Sequence, residues 1–213
     1  MQYRQSRPKT EICKICFKSI EEFTFHNLVT IRPTICHECL VKLEPVMTRF
    51  MVDNIECLHV YFYNQSLQEI LYQYKGCYDY ELHSVFLEYY VGYLRRKYRK
   101  YTLIPAPSSE KSDKERGFNH VVEMFKCLNL ETIRCIHKIV DIKQSDLTFV
   151  QRQKNSKNLV IDDVNLKNKK LLLVDDVFTT GSTIRSMIKL VKEKGAKIVK
   201  VLVMSKTKDL DKR

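Results

Sequence analysis

Glycine is scarce in this chain: 213 residues contain five, at positions 76, 92, 117, 181 and 195. That scatter excludes two common phosphate-binding devices. A P-loop needs G-x-x-x-x-G-K-[ST] and a dinucleotide fold needs G-x-G-x-x-G, and isolated glycines supply neither. Long hydrophobic runs are lacking as well. No stretch approaches the ~18 apolar residues of a membrane-spanning helix. Residues 1–10 carry charge without the apolar segment of a secretory signal. These absences point to a cytosolic chain, whose eight cysteines are then expected as metal ligands or buried thiols rather than disulfides. Acidic residues are in deficit: 37 Lys and Arg against 25 Asp and Glu leave a formal charge of +12. Such an excess fits polyanionic partners (nucleic acid, phosphorylated ligands, an anionic membrane surface) or a surface of solvated lysines. The length suits one ordinary domain plus a small appendage.

Four cysteines form a pattern: Cys13-x2-Cys16, nineteen residues, then Cys36-x2-Cys39. A two-residue gap turns both thiolates of a knuckle toward one ion, and two knuckles close a tetrahedral zinc site with bonds of ~2.3 Å. One Zn2+ is expected, with a short hairpin between residues 18 and 34. Too few apolar residues lie here to fold the segment unaided, so the metal would supply much of its stability. His37 reads as a surface residue beside a completed ligand set. Cys57, Cys77, Cys127 and Cys135 show no pairing and read as buried small hydrophobes. The domain division falls at 1–52 for the metal-binding part and 53–213 for the rest.

Beyond residue 52, strands and helices alternate. Residues 53–63 read as a strand, 67–74 as a helix, and 79–94 as a second helix with Leu82, Val85, Phe86, Tyr89, Tyr93 and Leu94 on one face. That helix runs into Arg95-Arg96-Lys97-Tyr98-Arg99-Lys100. The basic run either complements the helix macrodipole or forms a phosphate-binding patch with Tyr98 as a stacking platform. A strand at 101–104 stops at Pro105, a polar loop covers 108–115, and a helix follows Asn119 with Val121, Val122, Phe125 and Leu128 inward. Strands are expected at 133–140, 170–174 and 198–204, with a helix over 182–194 ended by Gly195. Residues 144–158 are polar, with Ser145 or Asp146 able to cap a short helix. The alternation implies an α/β fold built on a parallel sheet with flanking helices.

Residues 171–183 read LLLVDDVFTTGST. In a parallel sheet, ligands sit beyond the carboxyl ends of the strands. Here such an end carries Asp175 and Asp176, then a turn into a helix N-terminus. That terminus offers unpaired N–H groups and partial positive charge to an anion. Thr179, Thr180, Ser182 and Thr183 add hydroxyls, and Gly181 permits close approach. A phosphate fits the turn, but the carboxylates would repel it and must face hydroxyl donors or a divalent cation. A sugar phosphate meets both demands, with Mg2+ able to bridge to a second phosphate. The apolar run before two aspartates also resembles a Walker B strand, but no Walker A partner exists.

This stretch resembles the phosphoribosyl-pyrophosphate signature of type I phosphoribosyltransferases. Nearly the whole chain is similar to the ComF family of competence proteins. The resemblance rests on the N-terminal cysteines, Pro105-Ala106-Pro107, Arg116-Gly117-Phe118-Asn119-His120 where the family usually shows RGFNQ, and Gln144, Leu147, Arg152 and Asn155 at Q-x-x-L…R-x-x-N. It implies a type I phosphoribosyltransferase-like domain with a small zinc ribbon or finger. Asp175 and Asp176 would hold the ribose hydroxyls, and Val177, Thr179, Thr180, Gly181, Ser182 and Thr183 would wrap the 5′-phosphate. The loop 108–119 would bind pyrophosphate, with Arg116 as charge partner and Lys111, Lys114 and Gly117 beside it. Arg152 and Lys154 would lie on a segment closing over the ligand. Implied partners are phosphoribosyl pyrophosphate (PRPP) with Mg2+, single-stranded DNA, and a helicase-like ATPase of the ComFA kind. Many relatives carry cysteines for a second metal, whereas here only Cys57 lies near the expected place. No pocket for an acceptor base is readable, so a transferase and a non-turning ligand site both stand.

Overall fold

The structure is a computed structural model that describes residues 11–20, 34–139 and 159–208. The expected hairpin between 18 and 34 lies almost wholly outside them. So do Gln144, Ser145, Asp146, Leu147, Arg152, Lys154 and Asn155.

Among the described residues, a five-stranded sheet carries the fold, in the order β1-β2-β7-β6-β3. Its strands are β1 (Pro45–Val52), β2 (Ile55–Phe62), β3 (Thr102–Pro105), β6 (Lys170–Phe178) and β7 (Ile198–Lys206). The pairs β2/β7, β7/β6 and β6/β3 are parallel, and β1 closes one edge as an antiparallel hairpin partner of β2. A separate antiparallel pair joins β4 (Ile136–Lys138) to β5 (Leu159–Ile161).

β6 and β7 are apolar on both faces because both faces are covered, as parallel sheets require. Leu172, Val174, Leu202 and Met204 face one core with helices α2 (Gln65–Gly76), α3 (Val91–Tyr98) and α5 (His120–Phe125). Leu171, Leu173, Val201 and Val203 face a second core with helix α6 (Ser182–Glu193) and the β4/β5 pair. Ile184, Met187, Ile188 and Val191 supply the buried stripe of α6.

Several expectations are corrected. The strand expected to begin at 53 is the second arm of a hairpin, whose turn holds Asp53 and Asn54 at positive φ. The first arm escaped notice because Pro45 opens it and its register slips between Pro45 and Thr48. Both features suit an edge strand. The helix expected over 79–94 is broken into 3-10 turns at Tyr80–Ser84 and Glu88–Tyr90, with α3 beginning only at Val91. Consecutive Val85, Phe86 and Leu87 are all fully buried. A helix turns ~100° per residue and cannot bury three neighbours in one direction. The expected loop at 108–115 contains a short helix α4 (Glu110–Arg116), stopped by Gly117 at φ +83. The strand expected over 133–140 is reduced to β4 and pairs outside the main sheet, though Thr132 bridges to Leu103. β6 runs four residues past Val174, so Asp175 and Asp176 lie within the strand rather than in the turn. Cys57 and Cys135 are buried as expected, whereas Cys127 is half-buried and Cys77 is exposed.

The cysteine-bearing segment shares the first core. Cys13, Ile20, Ile35, Cys39, Leu40 and Leu43 are buried in the cluster that contains Leu67, Leu71 and Phe86. Polar contacts reinforce this. Lys14 Nζ donates to Glu81 Oε2 at 2.7 Å and to Ser84 Oγ at 3.2 Å. The Thr34 N–H donates to Glu88 Oε1 at 2.7 Å. Helix α1 (His37–Lys42) lies within the same segment. Replacing Cys39 by Ser is therefore expected to lower the melting temperature of the whole chain in one calorimetric transition. The expected drop is about 5–10 °C, equivalent to roughly 2–3 kcal/mol. Two separate transitions would contradict the shared core.

Candidate functional site

The turn after β6 is built around Gly181, which caps α6 at φ +73, and the Ser182 N–H donates to Thr180 Oγ1 at 3.4 Å. A Cβ at this position would stand 2.4 Å from the Phe178 ring. That ring packs edge-on against Phe50 at 4.9 Å. Glycine is thus required by conformation and by space. The first turn of α6 leaves N–H groups facing a small depression lined by Asp175, Val177, Thr179, Gly181, Ser182 and Thr183. Thr179, Thr180 and Ser182 are exposed and Thr183 is half-buried. The structure thus assembles most of the turn residues named from the sequence with one of the two acids.

The other acid is elsewhere. Successive strand residues point to opposite faces, so Asp175 follows Leu171 and Leu173 while Asp176 follows Leu172 and Val174. Asp176 is 8% exposed and forms an ion pair with Lys75 of α2. His120 Nε2 lies 3.3 Å from the same oxygen, Oδ2. The other oxygen, Oδ1, accepts the Val177 N–H at 2.7 Å. His120 Nδ1 sits 3.3 Å from an Arg116 guanidinium nitrogen, which can only donate. That contact makes Nδ1 the acceptor and leaves Nε2–H to donate to Asp176.

Burial, then the Asp176 charge, push Asp175 well above the usual carboxylate range. Burial acts on Asp176 in the same direction. The hydrogen bond from His120 and the Lys75 ammonium outweigh it and hold Asp176 well below its ordinary value.

Arg116 is not an open anion hook. Its side chain is 8% exposed and pairs with Asp113 at 3.2 Å. Its Nε donates to the Lys75 carbonyl at 3.3 Å. Asp113 also accepts from Ser108 at 2.5 Å and from Asn119 at 2.7 Å. The RGFNH stretch therefore ties the loop after β3 to α2 and, through His120, to β6. Lys111, Lys114 and Gly117 are exposed on this loop. Lys75 was not singled out in the sequence: it lies 101 residues from Asp176, and its position at a helix end reads only as a terminus.

A cavity of about 230 Å3 lies at the end of β3, lined among others by Pro105, Pro107, Ser108, Arg134, His137 and Lys138. No pattern in the sequence pointed to it. On α3 and the turn that follows it, Arg96, Arg99 and Lys100 are exposed, Arg95 donates to the Cys127 carbonyl at 2.6 Å, and Lys97 stands over the rings of Tyr93 and Tyr98. Tyr98 is 2% exposed and cannot serve as a stacking platform, whereas Tyr93 is exposed beside the basic residues.

The sulfurs of Cys13, Cys16, Cys36 and Cys39 all lie within 4.8 Å of one another. Zinc–sulfur bonds of ~2.3 Å in a tetrahedron place sulfurs roughly 3.8 Å apart, and Cys16 and Cys36 are 3.7 Å apart. The four residues fit one zinc ion. His37 is exposed, as expected for a bystander. Asp176 does not fit a divalent cation as it stands, since both its oxygens are taken by protein donors and one of them carries an ammonium.

Opposite stability effects are expected from the two acids. Burial and the neighbouring Asp176 charge make Asp175 hard to ionise in the fold, so Asp175→Asn should raise the melting temperature at neutral pH by about 2–4 °C, or roughly 1 kcal/mol. That gain should fade as pH falls below the ordinary carboxylate value of 3.8, where Asp175 is protonated in both the folded and the unfolded chain. The depressed Asp176 contributes stability above its ordinary value of 3.8 that is lost as pH falls below it. Asp176→Asn should therefore melt lower at pH 7, with the gap to wild type closing in acid. Equal shifts of one sign at pH 7 would contradict the split. Gly181→Ala should cost about 1–2 kcal/mol from the left-handed backbone alone, read as a fall in melting temperature.

A family model described as "Phosphoribosyl transferase domain" matches residues 129–212. The competence protein ComFC of Streptococcus pneumoniae is 31% identical over 141 residues, 66% of this chain and 64% of that protein. The aligned stretch thus spans just under two thirds of this relative's own length. The Bacillus subtilis competence protein ComFC is 24% identical over 196 residues, 89% of this chain and 81% of its own. An adenine phosphoribosyltransferase of Mycoplasmopsis agalactiae is 47% identical over 47 residues, 22% of this chain and 28% of its own. Among the described residues no helix is long and apolar enough to cross a membrane. Paired cysteine knuckles, a covered parallel sheet and a strand–turn–helix at the Gly181 turn thus stand beside these likenesses: the chain is similar to ComFC competence proteins, and its residues 129–212 match a phosphoribosyltransferase domain.

Proposed function

We propose that this protein serves natural competence, handling incoming single-stranded DNA in the cytoplasm beside a helicase-like ATPase. In this reading it carries a site for a ribose 5-phosphate group, as found in PRPP. The observation that supports this most is the Gly181 turn. It offers the N–H groups of the first helical turn and hydroxyls to a phosphate, and Asp175 in the same depression to a sugar hydroxyl. A diphosphate on the ligand would bring its own Mg2+, held by phosphate oxygens. Single-stranded DNA would lie along α3 and the turn after it, where exposed Tyr93 offers a ring and Arg96, Arg99 and Lys100 offer charge. One Zn2+ on the four cysteines would hold the adjoining segment.

A second reading is a working phosphoribosyltransferase that moves the ribose 5-phosphate group to an acceptor. The cavity at the end of β3 favours it, because an acceptor needs an enclosed place beside the sugar. Release of pyrophosphate only on adding an acceptor would select this reading.

Calorimetric titration with PRPP and magnesium tests the turn. Wild type should bind, and Thr180→Arg should abolish measurable binding by filling the depression with a long side chain. Unchanged affinity would refute the site. For DNA, replacing Arg96 and Lys100 together by Glu should weaken oligonucleotide binding at least about tenfold and flatten its salt dependence. An unaltered salt slope would remove α3 from the interface.

A further inference from the structure

The acid pair invites a divalent cation when read along the sequence, yet the structure already supplies a cation to it. Lys75 ends α2 on the face of the sheet opposite Asp175, and its ammonium is in direct contact with Asp176 Oδ2. The side chain is about one-third exposed, while Asp176 is nearly sealed. Three further contacts keep this arrangement in place. Arg116 Nε holds the Lys75 carbonyl, the Tyr74 hydroxyl donates to the His120 carbonyl at 2.9 Å, and His120 shares Oδ2 with Lys75. A metal ion at Asp176 would have to displace Lys75 or His120 and then sit beside a like charge. Two like charges a few ångströms apart repel strongly in a protein interior, where the dielectric is far below that of water. A site with a fixed internal ammonium gains nothing from such an ion.

We propose that Lys75 is a specificity-determining residue of the sugar-phosphate site. Its ammonium supplies the positive charge that a divalent cation would otherwise bring to the acid pair, so the ribose 5-phosphate group itself binds without magnesium. This rests on the ribose-phosphate reading above and narrows it. Neutralised from behind by Lys75, Asp176 does not repel the phosphate on the turn, and Asp175 alone meets the sugar. Removing the ammonium would leave a sealed carboxylate one residue from Asp175. The site would then repel the anionic ligand and acquire a vacancy for a cation.

The test is calorimetric titration of the full-length, zinc-retaining protein with ribose 5-phosphate. It is run in magnesium-free buffer without chelator, then with millimolar magnesium. Ribose 5-phosphate lacks the diphosphate that would carry magnesium in by itself. Wild type should bind in both buffers with affinities within about twofold of each other. Lys75→Gln should bind about tenfold more weakly without magnesium and recover when it is added. Lys75→Arg, which keeps the charge, should behave as wild type. A merely structural lysine would alter melting temperature without creating a magnesium requirement. The wild-type comparison also decides the matter if Lys75→Gln fails to fold. Wild type binding only with magnesium, or Lys75→Gln binding equally well without it, would overturn the role of Lys75 and leave the ribose-phosphate reading standing. No binding by wild type in either buffer would overturn both.

Discussion

The period-two alternation of one strand governs the site. β6 is buried between two helical layers, so every residue in it is committed to one face or the other. Leu171 to Val174 satisfy both cores in turn. The same alternation continues into Asp175 and Asp176 and separates them. One acid joins the Gly181 depression, and the other is delivered to α2 and α5, where only a basic partner makes its burial tolerable. Lys75 and His120 are those partners. The chemistry available at the strand end is therefore asymmetric: an acid under pressure to hold a proton on the ligand side, and a stably ionised acid on the far side.

That far side connects the parts of the molecule. Asp176 reaches Lys75 at the end of α2, Lys75 is tied by its carbonyl to Arg116, and Arg116 fixes the loop after β3 through Asp113. α2 packs in the same core as the cysteine segment, which is further pinned by Lys14 on Glu81 and Thr34 on Glu88. The cysteine cluster, the sheet edge and the Gly181 turn thus stand on one framework. A metal ion held by the four thiolates would contribute to the core that positions Lys75.

The elements that rest on local physics were legible in the sequence. Paired CxxC spacing specifies a four-sulfur cluster because two short turns suffice to build each half. The β6–turn–α6–β7 succession was readable because apolar runs, a glycine in the left-handed region and a helical stripe each act over a few residues. What escaped depends on distant neighbours. The contact of Lys75 with Asp176 joins residues far apart in the chain and leaves no local mark. The break near Val85, Phe86 and Leu87 follows from burial on several sides, which periodicity along one helix does not encode. β1 was hidden by Pro45 and a register slip. The two aspartates looked alike because sequence adjacency conceals the face each one takes.

The central claim is that a ribose phosphate lies on the Gly181 turn with its hydroxyls toward Asp175. A crystal structure of the protein with ribose 5-phosphate measures this directly. The account predicts the phosphate on main-chain N–H groups between Thr179 and Thr183, a sugar hydroxyl within hydrogen-bonding distance of Asp175, and Lys75 still on Asp176. A phosphate bound elsewhere, or a sugar that reaches Asp176 by displacing Lys75, would contradict it.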